Sequence, residues 1–162
     1  MIGIMSDSHD NRDAIRTAVQ LFNKKGCRLV LHAGDFVAPF AAGELEALAC
    51  PVKAVFGNCD GEKEGLRITV AAFGKIKEAP YVFRYEGREF LLTHTHFSLD
   101  SYIRSESYDV IVYGHTHRPE VRQSGGGLII NPGETGGWVT GQSSVALLDP
   151  SELSVEIISL KP

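Results

Sequence analysis

Three short apolar runs near the start of the chain, Ile2–Met5, Arg28–Ala33 and Val52–Phe56, are separated by two stretches of helical character. This alternation constrains the fold more than any other feature. Arg12–Lys25 places Ala14, Ile15, Ala18, Val19, Leu21 and Phe22 on one helical face, and Gly26 follows as a stop. Phe36–Ala49 reads as a second helix. Strand, helix, strand, helix, strand is the pattern of a parallel sheet with helical crossovers, so the chain is expected to be an α/β protein.

The second half changes character. Tyr81–Tyr85 and Arg88–Thr93 flank Glu86-Gly87, a candidate tight hairpin. A short helix is expected over Leu99–Glu106 and a buried strand over Asp109–Tyr113. Glu120–Gln123 and Leu128–Asn131 flank a triple glycine and suggest a second hairpin, and Val145–Leu148 and Ser154–Ser159 close the chain as strands. The expectation is two mixed sheets packed together. At 162 residues, with no repeat or linker, residues 1–162 are expected to form one domain.

The chemistry sits at strand ends. Ile2–Met5 runs into Ser6-Asp7-Ser8-His9, Arg28–Ala33 into Gly34-Asp35, and Val52–Phe56 into Gly57-Asn58-Cys59-Asp60. Phe90–Thr93 runs into His94-Thr95-His96, and Val110–Tyr113 into Gly114-His115-Thr116-His117. Open α/β sheets bind ligands outside the carboxyl ends of their strands, so groups from five strands can converge there. Gly34, Gly57 and Gly114 each stand between a strand and a candidate ligand, where a missing Cβ lets the chain turn sharply. The metal candidates are Asp7, His9, Asp35, Asn58, His94, His115 and His117. Carboxylate, amide and imidazole suit Mn²⁺, Fe²⁺, Zn²⁺ and similar ions rather than a thiolate-bound structural zinc. Seven side chains exceed what one ion needs, and two ions sharing a carboxylate account for the number. Two divalent ions against Asp7 and Asp35 leave a positive pocket, able to hold an anionic ester that the bare carboxylates would repel.

The ordered set Asp-x-His, Gly-Asp, Gly-Asn-x-Asp, His and Gly-His-x-His resembles the calcineurin-like metallophosphoesterase superfamily. The spelling Ser-Asp-Ser-His, His-Ala-Gly-Asp, Gly-Asn-Cys-Asp, Gly-His-Thr-His and Asn-Pro-Gly is similar to its small prokaryotic phosphodiesterase branch. The resemblance runs from Met1 to about Leu160. It implies a four-layer α/β/β/α sandwich and a dinuclear centre, with Mn²⁺ the leading metal and Ni²⁺, Zn²⁺, Fe²⁺ or Mg²⁺ as alternatives. By motif match Asp7, His9, Asp35 and His117 hold one metal, and Asp35, Asn58, His94 and His115 the other. Asp35 is then the bridge, and Asp35, Asn58 and His94 stand nearest the catalytic step. A hydroxide between the metals is the implied nucleophile for in-line attack on the phosphorus of a phosphodiester. A phosphomonoesterase, a nuclease and a non-catalytic interaction scaffold are the alternatives within the same fold.

The chain departs from this pattern in three places. Cys59 stands where many relatives carry a His that protonates the leaving group. Thr95 replaces a glycine and is expected to narrow the site. Glu134 replaces a serine after Asn-Pro-Gly and is expected either to face solvent or to restrict anionic substrates.

Each residue also has an ordinary reading. Asp7, Ser8, Asp10 and Asn11 can cap a helix, Asp35 can cap the next one, and Asn58 and Asp60 can build a turn. The seven coincidences at five strand ends favour the metal reading. His32 is expected to pack or hydrogen-bond within its strand, Cys59 to be a small packing residue near the site, Arg118 to be solvated rather than to meet a phosphate, and Trp138 to be partly buried rather than to stack on a base. His96 is expected either to support the site or to lie on the surface.

Composition narrows the partners. A net charge of −4 without a basic stripe argues against polynucleotides and leaves a small phosphodiester or phosphoester as substrate. Three cysteines without a Cys-x-x-Cys pair fit a reducing compartment. No signal-like or membrane-length apolar run is seen, so the cytoplasm is expected and a membrane role is not. Self-association is left open.

Overall fold

A computed structural model describes residues 1–160. The alternating first half forms as read: strand β1 (Ile2–Met5), helix α1 (Arg12–Lys24), strand β2 (Leu29–His32) and strand β3 (Val52–Val55). Asn11 caps α1 by accepting from the Ala14 amide at 3.2 Å, so the ordinary reading of that residue holds. Ala14, Ile15, Ala18, Val19 and Phe22 bury the face that periodicity marks.

The second helix needs correction. Residues 36–38 are not helical; only Pro39–Ala42 (α2) is, followed by a 3-10 turn over Gly43–Ala47. Asp35 and Val37 have positive φ, which no right-handed helix tolerates, and Pro39 disfavours helical backbone at Ala38. Asp35 therefore does not cap a helix. Two elements were not anticipated, helix α3 (Lys63–Val70) and strand β4 (Gly74–Lys77).

The rest of the chain follows expectation closely: β5 (Tyr81–Tyr85), β6 (Arg88–Leu92), α4 (Leu99–Arg104), β7 (Val110–Val112), β8 (Pro119–Ser124), β9 (Gly127–Pro132), β10 (Ser143–Asp149) and β11 (Ser154–Leu160). Six strands form one sheet in the order β11-β10-β1-β2-β3-β4, and five form the other in the order β5-β6-β7-β9-β8. Both are mixed. The chain from β1 to β4 pairs in parallel while β10 joins β1 antiparallel; β6, β7 and β9 run parallel between two antiparallel edges.

Three apolar clusters order the layers. Ile2, Ile4, Leu31 and Val55 of the first sheet meet Phe90, Leu92, Val112 and Ile130 of the second. The opposite face of the first sheet packs on α1, α2 and α3, with Phe22, Phe36, Leu45 and Leu66 fully buried. Leu91, Ile111 and Ile129 cover the outer face of the second sheet beneath α4. This order of helices and sheets is consistent with the four-layer α/β/β/α sandwich. Neither parallel set could form without these covers, because parallel strands bury both faces. Among the described residues no helix is long and apolar enough to cross a membrane, and the three cysteines are free.

Candidate metal centre

Parallel strands β1, β2 and β3 present their carboxyl ends side by side, and β6 and β7 do the same on the facing sheet. The residues that follow converge. Asp7 and Asp35 are buried, at 0% and 2% exposure, and His94 is buried with them. His9 and His117 are half-buried, and Asn58 lies at the mouth.

All seven candidates join one constellation. Asp35 Oδ2 lies 3.6 Å from His9 Nε2 and 3.4 Å from His94 Nε2, between two groups of the cluster. Asp7 Oδ1 lies 3.9 Å from His9 Nε2 and 3.5 Å from His117 Nε2. Asn58 Oδ1 lies 2.8 Å from His94 Nε2 and 2.9 Å from His115 Nδ1. Asp7, His9 and His117 can hold a metal ion, as can Asp7, Asp35 and His94.

Surrounding bonds aim these atoms. Asp7 Oδ2 accepts from Ser6 Oγ at 2.6 Å and from the His115 amide at 3.0 Å, which leaves Oδ1 facing the cluster. Asp35 Oδ1 accepts from the Cys59 amide at 2.8 Å, which leaves Oδ2. His94 Nδ1 sits 2.7 Å from the Ala33 carbonyl and must donate to it, so Nε2 is the nitrogen left to face the cluster. His117 Nδ1 likewise donates to Glu134 at 2.8 Å and turns Nε2 inward. Such outer bonds fix the tautomer and raise the basicity of an imidazole that binds metal.

Among the described residues two buried side-chain atoms have no partner. Asp7 Oδ1 and His9 Nε2 are buried and make no hydrogen bond. Buried polar atoms are nearly always paired, so these orphans mark the place of a missing group, and the donor set fits a divalent cation.

The electrostatics agree. Burial pushes the Asp7 carboxyl up, against the Ser6 hydroxyl and the pull of His94 and His117. Burial also acts upward on Asp35, but hydrogen bonds from His94 and the Cys59 amide outweigh it and hold Asp35 below the usual carboxylate range. Burial acts downward on His94, yet the Asp35 carboxylate wins and raises it. His115 is lowered by burial and by His94. The two acids thus shift in opposite directions, as do the two imidazoles, a perturbation of the kind found at functional sites.

Several expectations change here. Glu134 does not face solvent. It is fully buried and accepts from the Val139 amide, the Thr140 amide and the Thr140 hydroxyl as well as from His117. Cys59 is not a packing residue; it is exposed, and its Sγ can join His9 and Asp35 around an ion. Burial and the charge of Asp35 push its thiol up to about 11. Trp138 is 66% exposed rather than partly buried. Thr95 does not line the cavity of about 280 Å³ at the cluster. His32 bonds within its neighbourhood as expected, at 3.0 Å from Ser8 Oγ, and Arg118 is exposed. His96 is exposed and stacks near His115, 5.9 Å between ring centres, rather than on His94. Asp60 builds the turn foreseen for it and more: its carboxylate accepts from the amides of Gly57, Asp35 and Val37.

A family model described as the calcineurin-like phosphoesterase superfamily domain matches residues 1–153. Phosphodiesterase MJ0936 of Methanocaldococcus jannaschii is 36% identical over 99% of this chain and 99% of its own length. Phosphodiesterase YfcE of Escherichia coli is 30% identical over 93% of this chain and 88% of its own. The solved structure of an archaeal phosphodiesterase superposes with a TM-score of 0.94 at 35% identity, covering 98% and 99% of the two chains. A family match over most of the sequence and near end-to-end relatives carry one conclusion: the chain belongs to the calcineurin-like phosphoesterase superfamily.

Proposed function

We propose that this protein hydrolyses phosphodiesters with the help of two divalent metal ions. Asp7, His9, Asp35 and His117 would hold one ion, and Asp35, Asn58, His94 and His115 the other. The observation that carries the reading is the pair of unpartnered buried atoms, Asp7 Oδ1 and His9 Nε2, inside a cluster drawn from five strand ends. Similarity to proteins named phosphodiesterases supports the diester as the substrate class.

When bound, the ions supply Lewis acidity and acidify a coordinated water toward neutral pH. The chain's own residues do the rest. Asp35 presents one oxygen between the two imidazoles of His9 and His94, the position a bridging carboxylate needs. Asn58 brings its Oδ1 within 2.8 Å of His94 Nε2 and 2.9 Å of His115 Nδ1 at the mouth, so the three would share one ion. Buried Asp7 and Asp35 keep the cluster anionic when empty, so the pocket takes an anionic ester only after it takes cations. A thiol of ordinary pKa, about 8.5, is a weaker acid than an imidazolium, so Cys59 is a poor proton donor for a leaving group. Esters whose leaving groups need no proton are therefore the favoured substrates. The same reading takes residues 1–162 as one domain, Mn²⁺ as the resident metal and the cytoplasm as the place of work.

The test is metal analysis of protein purified without chelator, then assay with Mn²⁺, Ni²⁺, Zn²⁺ or Mg²⁺ on bis(4-nitrophenyl) phosphate and on the matching monoester. Two ions per chain and faster cleavage of the diester are expected. Asp35→Asn should lose bound metal and roughly a thousandfold in rate, the several kcal/mol that metal charge stabilisation supplies. Undiminished hydrolysis after complete chelation would end the proposal.

A further inference from the structure

Three large apolar side chains stay in water at the mouth of the centre. Trp138, Val139 and Phe97 are 66%, 72% and 76% exposed. Trp138 and Val139 line the same cavity as His9, Asp35, Asn58 and His117. Phe97 stands on the other side, its ring 5.8 Å from that of His115.

Trp138 is not a loose surface group. Its indole N–H donates to the His9 carbonyl at 2.9 Å. Its loop is fastened to the turn after β1, where Thr135 and Gly136 donate to the Ser6 and Asp7 carbonyls at 2.8 and 3.0 Å. Asn11 donates to the Gly136 carbonyl at 2.7 Å. Directly after the indole in the chain, the Val139 and Thr140 amides donate to the buried Glu134 carboxylate, which also holds His117. One carboxylate thus ties the loop that carries the indole to an imidazole of the centre. The ring is held by its polar edge and stays 66% exposed. It also forms a wall shared with a neighbouring cavity of about 580 Å³, bordered by Asn11, Thr17 and Gln142.

We propose that Trp138 is the stacking wall of a substrate subsite, and that the phosphodiester taken by this centre carries a nucleobase on one arm. The inference rests on the phosphodiesterase reading above and adds the substrate class to it. A prearranged aromatic face loses little conformational freedom on binding, and any base offers a π-face to it. The cavity is at the small end for a ligand site, and the net charge of −4 lacks the cationic track a polynucleotide needs. A small nucleotide diester meets both limits. A protein docked on these rings would close the mouth of the centre, whereas a base covers Trp138 only while its phosphate sits among the metal-binding groups.

Trp138 is the sole tryptophan of the sequence, so tryptophan emission reports on this wall alone. The metal-loaded protein is titrated with adenosine 5′-monophosphate and, in parallel, with ribose 5-phosphate, which differs only by the base. Saturable quenching by the first and a flat response to the second are expected. Both compounds are then used to inhibit cleavage of bis(4-nitrophenyl) phosphate. Adenosine 5′-monophosphate should inhibit more tightly, and Trp138→Ala should weaken it at least about fivefold, toward ribose 5-phosphate, as loss of a stacking ring does. Trp138→Phe, which keeps a ring, should retain most of the difference. Equal inhibition by the two compounds, with hydrolysis intact, overturns the inference and leaves the phosphodiesterase reading standing; no hydrolysis at all overturns that reading instead. Emission that changes on dilution but not with ligand would also overturn it, in favour of a contact between copies of the chain.

Discussion

The turns at the two ends of the sheets reach the same backbone region with different residues. Away from the candidate centre, the chain takes positive φ at Gly26 (65°), Gly87 (80°), Gly125 (59°) and Gly126 (77°), and at Glu86, Glu106 and Leu153 near 50°. Around the centre, beside the glycines Gly34 at 98° and Gly133 at 81°, side-chain-bearing residues enter it: Asp7 at 51°, His9 at 40°, Asp10 at 57°, Asp35 at 61°, His115 at 68° and His117 at 60°, with β-branched Val37 at 81°. An L-residue there costs about 1–2 kcal/mol that glycine does not. The far turns need only a reversal of direction, so glycine serves. The near turns must carry a functional side chain, so the strain stays and hydrogen bonds offset it. The Asp7 amide donates to the Gly34 carbonyl at 3.0 Å, the His9 amide to the Asp35 carbonyl at 3.1 Å, and the His115 amide to Asp7 Oδ2. Asp60 binds the amides of Asp35 and Val37, so one carboxylate fixes both residues of that turn.

The sharpest way to break this comparison is to crowd a near turn and a far turn with the same methyl group. A Cβ on Gly57 would overlap Asp35 Oδ1 and the Asp35 amide, and one on Gly114 would overlap Ser6 Oγ and stand 2.7 Å from Asp7 Oδ2. Neither substitution removes a candidate ligand, yet both move a carboxylate. Gly57→Ala and Gly114→Ala should each lose roughly a hundredfold in kcat, the usual effect of about 1 Å of misplacement, together with metal affinity. A Cβ on Gly87 meets nothing within 4 Å. Gly87→Ala should keep full activity and lose about 1 kcal/mol of stability from the strained φ. Equal kinetic behaviour of the near and far variants would show that the near turns are not built around Asp7 and Asp35.

The same contrast explains what could be read from the sequence. The candidate ligands that the fold gathers are legible because each follows an apolar run and stands beside a glycine or a short polar residue, a local signal. Strands β1, β2 and β3 were legible for the same reason. Phe36–Ala49 was misread as one helix because its start is set by the positive φ of Asp35 and Val37, which follows from hydrogen bonds to Asp60, 25 and 23 residues away. Strand β4 left no apolar run because it is an edge strand with only Ile76 buried. The pairing of β1 with β10 joins residues more than 140 positions apart and has no local mark. Glu134 was visible only as an oddity after Asn-Pro-Gly, since its partners His117 and Thr140 meet it through the fold. Cys59 and Trp138 were expected to pack because burial is their habit, and the site leaves both in water.

His32 allows a finer test, since it supports the near turns from beneath without joining the cluster. Its Nδ1 accepts from the Gly34 amide at 3.1 Å, so the proton is on Nε2, which donates to Ser8 Oγ at 3.0 Å. The ring stacks on Phe36 with centres 3.6 Å apart. Complete burial holds its pKa down at about 3, against the upward pull of Asp35. An unfolded histidine titrates near pH 6.5, at about its ordinary value. Between those values the unfolded chain binds a proton that the folded chain does not, so stability is full above about pH 6.5 and falls as the pH drops toward 3. The slope should reach about 1 kcal/mol per pH unit in metal-free protein. His32→Gln should be less stable at pH 7 by about 1–3 kcal/mol, for an imperfectly paired buried amide or hydroxyl, but flatter between pH 6 and 4. Urea titrations of both proteins across that range check this; parallel curves would mean that His32 does not titrate between the two states.

The smallest effect concerns Val37, a strained residue of the near turns whose side chain is no candidate ligand. Its amide donates to Asp60 Oδ1 at 2.8 Å, and that bond needs the backbone alone. Its side chain is half-buried, so little apolar burial offsets a β-branched residue at φ 81°. Val37→Gly removes the left-handed penalty of about 1–2 kcal/mol and adds about 0.5–1 kcal/mol of unfolded-state entropy. A net gain of up to about 1 kcal/mol is expected, with kcat and metal affinity unchanged. A loss of stability would mean that the Val37 side chain itself holds the turn. In that case the strain around the centre could not be assigned to the demands of its metal-binding residues alone.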